Sequence, residues 1–101
     1  MTSVPKTSYV KTSRKCKVTF ELPPEVQAGS AAVVGDFNGW SPHATTMTRR
    51  KDGRFSTTLT LESGREYRYR FLLDGERWEN DWQAHAYVVN EFGSEDSVVK
   101  L

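Results

Sequence analysis

A single cysteine, Cys16, rules out an intramolecular disulfide. It stands at an apolar position of an alternating stretch, where a buried, reduced thiol is expected. The two histidines, His43 and His85, lie far apart, and neither has a second His or Cys at ligand spacing. No metal centre is expected from them, and both read as surface residues. There is no G-x-S-x-G elbow and no glycine-rich phosphate loop opening a helix. No segment keeps a helical period, and none is apolar for the length of a membrane span. No apolar stretch follows the first lysines, as a secretory signal requires. Charge of one sign is also scarce: 14 Lys and Arg against 13 Asp and Glu leave +1, with a pI near 7.9. That balance lacks the basic field of a nucleic-acid binder. At 101 residues the chain makes one domain, with no second lobe to close a deep cleft and no room for a catalytic barrel. The expectation is a cytoplasmic protein with no catalytic residues, no cofactor, no metal, and neither nucleic acid nor membrane as partner.

One region is skewed. Lys6, Lys11, Arg14, Lys15 and Lys17 all precede the first acid, Glu21. Residues 1–14 therefore read as a flexible basic arm, and residues 15–101 as the folded domain.

What the sequence does have is alternation. In "KCKVTFEL" Cys16, Val18, Phe20 and Leu22 share one face. "RFSTTLTL" aligns Phe55, Thr57, Leu59 and Leu61, and "REYRYRFLL" aligns Tyr67, Tyr69, Phe71 and Leu73 with Arg68, Arg70 and Leu72 opposite. "SAAVV" reads as a short central strand and "SVVKL" as the last one. Asp-Gly pairs in "KDGR" and "LDGE" are hairpin signals, and Ser-Gly in "ESGR" offers the same turn. "WENDWQAHAY" has room for one helical turn at most. Short strands separated by turns predict an all-β protein, an antiparallel β-sandwich of about seven to eight strands. No Cys…Trp…Cys spacing is present, which excludes an antibody-type immunoglobulin domain.

Three tryptophans stand outside this pattern. Trp40, Trp78 and Trp82 lie in polar, turn-rich sequence, while Phe20, Phe55, Tyr67, Tyr69 and Phe71 already fill the alternating core positions. A loop Trp can cap the open end of a sandwich, serve a protein interface, or stack on a flat ligand. A pyranose is such a ligand: its C–H face suits an indole, and its hydroxyl rim suits Arg, Asn, Asp or Ser. Hydrolysis of such a sugar needs two carboxylates in a pocket that shifts a pKa. The loop acids Asp36, Asp74, Glu79 and Asp81 sit instead in solvating sequence.

"VVGDFNGWSP", "EYRYRFLLDGERW" and "NEFGSEDSVVKL" together resemble the family-48 carbohydrate-binding modules. These are early-set, immunoglobulin-like sandwich domains of glycogen branching enzymes, isoamylases and the β subunit of AMP-activated protein kinase. The resemblance runs from about Lys15 to Leu101 and is greatest to bacterial stand-alone early-set proteins, similar also to isoamylase N-terminal domains. It implies binding of α-1,4-linked glucan: glycogen, starch or maltooligosaccharide. It implies that Trp40 and Trp78 stack on glucose and that Arg70 contacts sugar hydroxyls. It further implies contacts from the loop carrying Phe92, Ser94 and Asp96. Trp78 follows its turn with one extra residue compared with the kinase subunit, and Arg70 replaces a lysine. Asp96 replaces an asparagine, losing an amide donor and adding a charge. Trp82 stands where the glycogen-binding pattern has proline, and reads equally as loop packing or an accessory contact. The alternative reading is a protein-interaction or accessory module for a glucan-metabolising enzyme.

Overall fold

The computed structural model describes residues 6–9 and 14–101. Nine strands follow in order: β1 (Lys6–Tyr9), β2 (Lys15–Leu22), β3 (Ala31–Gly35), β4 (Thr48–Arg49), β5 (Phe55–Glu62), β6 (Glu66–Leu73), β7 (Arg77–Glu79), β8 (Ala86–Val89) and β9 (Glu95–Lys100). All pairings are antiparallel. One sheet runs β1-β2-β5-β4, and the other β3-β6-β9-β8, with β7 also pairing to β6. The expected sandwich is present, with nine strands against the seven to eight expected; β1, β4, β7 and β8 are short strands that the alternation did not mark.

Period-two burial builds the core. Cys16, Val18, Phe20 and Leu22 of β2 and Tyr67, Tyr69, Phe71 and Leu73 of β6 belong to one buried cluster. The Phe20 and Tyr69 rings meet edge-on at 4.8 Å between centroids, and Tyr69 meets Phe71 at 5.9 Å. Each large side chain so buried stabilises the fold by about 1.5–3 kcal/mol. Because Tyr69 and Phe71 point inward, the pleat turns Arg68, Arg70 and Leu72 to the outer face of the second sheet. That outer face carries the site described below.

Several local expectations change. Ser63–Gly64 does not close a hairpin. It joins β5 of one sheet to β6 of the other, with Ser63 N–H bonded to the Arg14 carbonyl and Gly64 N–H to the Leu101 carbonyl. A positive φ at glycine, here 77° at Gly64, serves a sheet-to-sheet corner as well as a hairpin. β3 is an edge strand rather than a central one, yet all five of its residues are buried. Its free edge is covered by the chain after the next loop: Val33 N–H bonds the Thr45 carbonyl and Met47 N–H the Ala31 carbonyl. The segment "WENDWQAHAY" forms no helical turn; it contributes β7, a tight turn and the start of β8. Within the expected basic arm, Lys6–Tyr9 pairs with Cys16–Thr19 of β2, giving the first sheet an edge strand. Residues 1–5 and 10–13 of that arm lie outside the described residues.

Candidate functional site

The stretch "GDFNGW" is a small machine for displaying one indole. Gly35 ends β3 pressed against β6: a Cβ there would lie 2.4 Å from the Arg68 carbonyl oxygen and 2.7 Å from Tyr69 Cβ. Asp36–Asn38 form a single 3₁₀ turn. Phe37 packs into the core beside Phe20, at 5.6 Å between ring centroids. The Asn38 side chain stitches the loop closed. Its oxygen accepts from Gly35 N–H at 3.1 Å, and its amide nitrogen donates to the Val33 carbonyl and the Thr45 hydroxyl, both at 3.0 Å. Gly39 and Trp40 then take left-handed backbone conformations, φ 66° and 59°. For a tryptophan that conformation costs on the order of 1 kcal/mol, a strain typical of functional positions.

Asp36 fixes the ring. One carboxylate oxygen accepts from the Trp40 indole N–H at 3.0 Å, and the other from the Arg68 backbone N–H at 2.8 Å, just where β3 stops pairing with β6. The underside of the indole rests on Ala32, Val34 and Leu72, a small apolar patch on the outer face of the sheet. Trp40 is thus half-buried, with one face committed and the other turned to a groove.

Trp78 reaches the same groove from β7. Asp74 and Gly75 take φ values of 54° and 71°, the pair of left-handed residues a type I′ turn demands. The Asp74 carboxylate anchors the turn by accepting Gly29 and Ser30 N–H at 2.7 and 3.0 Å, with Arg77 3.5 Å away. Those two N–H donors, with Arg77 adding less, hold its pKa below the ordinary carboxylate value. Trp78 pairs in register with Leu72, so it shares the outer face and remains 45% exposed. Its ring lies over the Arg70 guanidinium, 5.7 Å from centroid to carbon, a cation–π contact. Arg70 Nε is buried with no hydrogen-bond partner. An unsatisfied buried donor costs about 1–3 kcal/mol, a cost accepted here while the guanidinium is held under the Trp78 ring.

The third wall is the loop between β8 and β9, organised by Asn90. Its side-chain oxygen accepts from Phe92 N–H (2.9 Å) and Ser94 N–H (3.1 Å), and its amide donates to Asp96 Oδ1 at 3.1 Å. Phe92 is left 84% exposed, whereas Asp96 is buried. The result is an open groove of about 640 Å³ on the outer face, walled by Trp40, Trp78 and the Asn90–Asp96 loop over Arg68 and Arg70. Two indole faces, an exposed phenyl and guanidinium donors match a ligand with flat apolar faces and a polar rim.

Residues 24–100 match the family described as the glycogen recognition site of AMP-activated protein kinase. The chain belongs to this family. A search of curated proteins returns no match. In this glycogen-recognition domain, Trp40, Arg70, Trp78, Phe92 and Asp96 of the six residues expected from sequence line one groove. Ser94 lies on the same loop but contributes its backbone to Asn90 rather than a wall to the groove. Sequence reasoning missed Asn90, and also Asp36 as the brace of Trp40. The signal for Asn90 was available: an Asn three residues before a glycine in a polar stretch is a turn former that caps nearby backbone N–H groups. Trp82 is not part of the groove, and 65% of it is exposed. Among the described residues no cluster of His, Cys, Asp and Glu could hold a metal ion, and no helix is long and apolar enough to cross a membrane.

Proposed function

We propose that this domain binds α-1,4-linked glucan, as glycogen, starch or maltooligosaccharide, in the groove between Trp40 and Trp78, and that it does so without catalysis. The observation that carries this reading is the pair of indoles flanking the Arg70 guanidinium in one open groove. Membership of a glycogen-recognition family supports the same ligand class. Trp40 and Trp78 stack on successive parts of the sugar chain, Arg70 donates to hydroxyls, and the exposed Phe92 extends the apolar contact. The Asn90–Asp96 pair supplies a donor and an acceptor side by side, so the amide lost at position 96 is replaced from position 90. Asp36 is committed to Trp40 and Arg68, which supports a structural rather than a catalytic carboxylate. As an accessory module, the domain would hold a glucan-metabolising enzyme at the polymer.

Each stacked indole contributes about 1–2 kcal/mol, or roughly five- to thirty-fold in affinity. Two such contacts place the dissociation constant between micromolar and millimolar. Titration with β-cyclodextrin or maltoheptaose, followed by calorimetry and tryptophan fluorescence, tests the reading. Trp40→Ala and Trp78→Ala should each weaken binding by that factor, while reducing-sugar release stays at background. Absence of heat and of any fluorescence change at millimolar ligand would sink it.

A further inference from the structure

Trp82 stands apart from the groove, on the turn between β7 and β8. That turn is braced through Asp81. Asp81 is buried, and its carboxylate accepts from the Tyr69 hydroxyl at 2.6 Å and from Gln83 N–H at 2.9 Å. Asp81 N–H donates to Ser97 Oγ at 2.8 Å, while its carbonyl accepts from the Tyr87 hydroxyl and from Ala84 N–H. Five hydrogen bonds, one of them to a core tyrosine, thus fix the residue next to an indole that projects into water. Burial holds the Asp81 carboxyl above the ordinary value, so the brace keeps a costly buried carboxylate. A rigid backbone mount under an exposed aromatic is pre-organisation for a ligand, because the point from which the indole projects is already fixed.

Beside the ring lies a shallow pocket of about 80 Å³, floored by Leu22, Pro23 and Val26. On its rim, the Glu79 carboxylate and the Gln83 amide have no side-chain partner among the described residues. One indole, a small apolar floor and free acceptors and donors at the edge suit a single sugar ring. A protein hot spot would instead sit in a well-packed pocket ringed by contacts that exclude water. Strand alternation in β7 turns Trp78 toward the outer sheet face and Glu79 away from it, so the pocket and the groove open on different sides.

We infer that Trp82 and this pocket form a second seat for an α-glucan chain, separate from the groove. The inference rests on the glucan reading of the groove for its ligand class. A branched polymer presents many chains, and a domain with two seats holds two of them at once, gaining avidity beyond either site alone.

The chain has three tryptophans, so each seat can be watched separately. In W40F/W78A, Trp82 is the sole indole and the groove is impaired. Titration with maltoheptaose should give a saturable change in Trp82 fluorescence in the millimolar range. Unaltered protein should titrate with two sites per chain by calorimetry and W82A with one, and W82A should lose about ten-fold or more of its retention on glycogen. The indole N–H resonances of the unaltered protein, assigned with W82F, give a readout that does not depend on how the double variant folds. A Trp82 resonance that stays still at millimolar maltoheptaose while those of Trp40 and Trp78 move would overturn the second seat and leave the groove intact. Movement of Trp82 alone would support the second seat and remove the groove reading. Stillness of all three would remove both, and a shift of Trp82 only on adding another protein would assign it to an interface instead.

Discussion

Asp36→Ala tests whether the groove works by holding Trp40 in place. Asp36 does not have to touch a sugar for the reasoning to hold; it links the Trp40 indole N–H at 3.0 Å to the Arg68 backbone N–H at 2.8 Å. Removing the carboxylate frees the outer edge of the indole and returns the Arg68 N–H to water. The stability cost is about 1 kcal/mol for the lost hydrogen bonds, a fall of roughly 4–8 °C in Tm for a domain of this size. The effect on binding comes from re-ordering the ring on contact, about 0.5–1.5 kcal/mol per immobilised side chain. This corresponds to a two- to twelve-fold weaker Kd for maltoheptaose. The decisive comparison is a double-mutant cycle with Trp40→Ala. Once the indole is gone, Asp36 has nothing to position, so D36A in the W40A background should leave Kd unchanged. Calorimetry of the four proteins gives the coupling energy directly. An equal loss from D36A with and without Trp40 would refute the positioning role and make Asp36 a direct contact. No loss in either background would show that the indole needs no brace.

Three further outcomes follow from the same geometry. Asn90→Ala removes the acceptor for Phe92 and Ser94 N–H and the donor to buried Asp96, so both Tm and glucan affinity should drop, each by about 1–2 kcal/mol; an unchanged Kd would detach that loop from the site. Gly35→Ala drives a methyl into the Arg68 carbonyl, and thermal denaturation should show about 2–3 kcal/mol of destabilisation or failure to fold. The pH profile separates two carboxylates. Burial raises the Asp81 pKa, with the Tyr69 and Gln83 hydrogen bonds only partly offsetting it, so the folded state binds a proton more tightly than the unfolded one. Its ionised form therefore subtracts stability, and that loss is recovered as pH falls through the folded pKa toward the unfolded value near 3.9. Asp74 acts oppositely: its folded pKa is lowered, so its contribution is present above the unfolded value and lost as pH falls through the folded one. Tm measured from neutral pH down to below the ordinary carboxylate value should thus lose its Asp81 component, on the mildly acidic side, in D81N, whereas the Asp74 component, at the acid end, should vanish in D74N. A D81N profile superimposable on that of the unaltered protein would exclude the assignment.

The alternating strands were readable because burial follows the pleat residue by residue, and β2 and β6 bury the residues their spacing indicates. The Asp74–Gly75 turn was readable because φ above zero at two successive positions calls for that residue pair. What escaped was long-range. Whether Ser63–Gly64 makes a hairpin or a corner depends on which strands pair, not on the turn. β3 reads as central because it is wholly buried, but the cover comes from the segment around Thr45 and Met47. Lys6–Tyr9 pairs through its backbone, which basic and hydroxyl side chains permit without announcing it. At the site, tryptophans in polar sequence were legible as anomalies. The residues that position them were not, because Asp36 and Asn90 look like ordinary turn formers until their partners are known.

Asn38 has a consequence for how the domain can be engineered. Its side chain spends its oxygen on Gly35 and its amide on Val33 and Thr45, entirely within the loop, while Val33 N–H bonds the Thr45 carbonyl across the loop's two ends. The segment from Gly35 to Thr45 is therefore clasped at its base and fastened to the core of the sandwich by Phe37. It behaves as a cartridge: its tip, with Pro42, His43 and Ala44 exposed, can be lengthened or relabelled without disturbing the clasp. The same cartridge, moved with its Gly35 onto another sandwich that leaves space for Phe37 and offers a small apolar patch like Ala32, Val34 and Leu72 under the ring, would carry its indole already aimed.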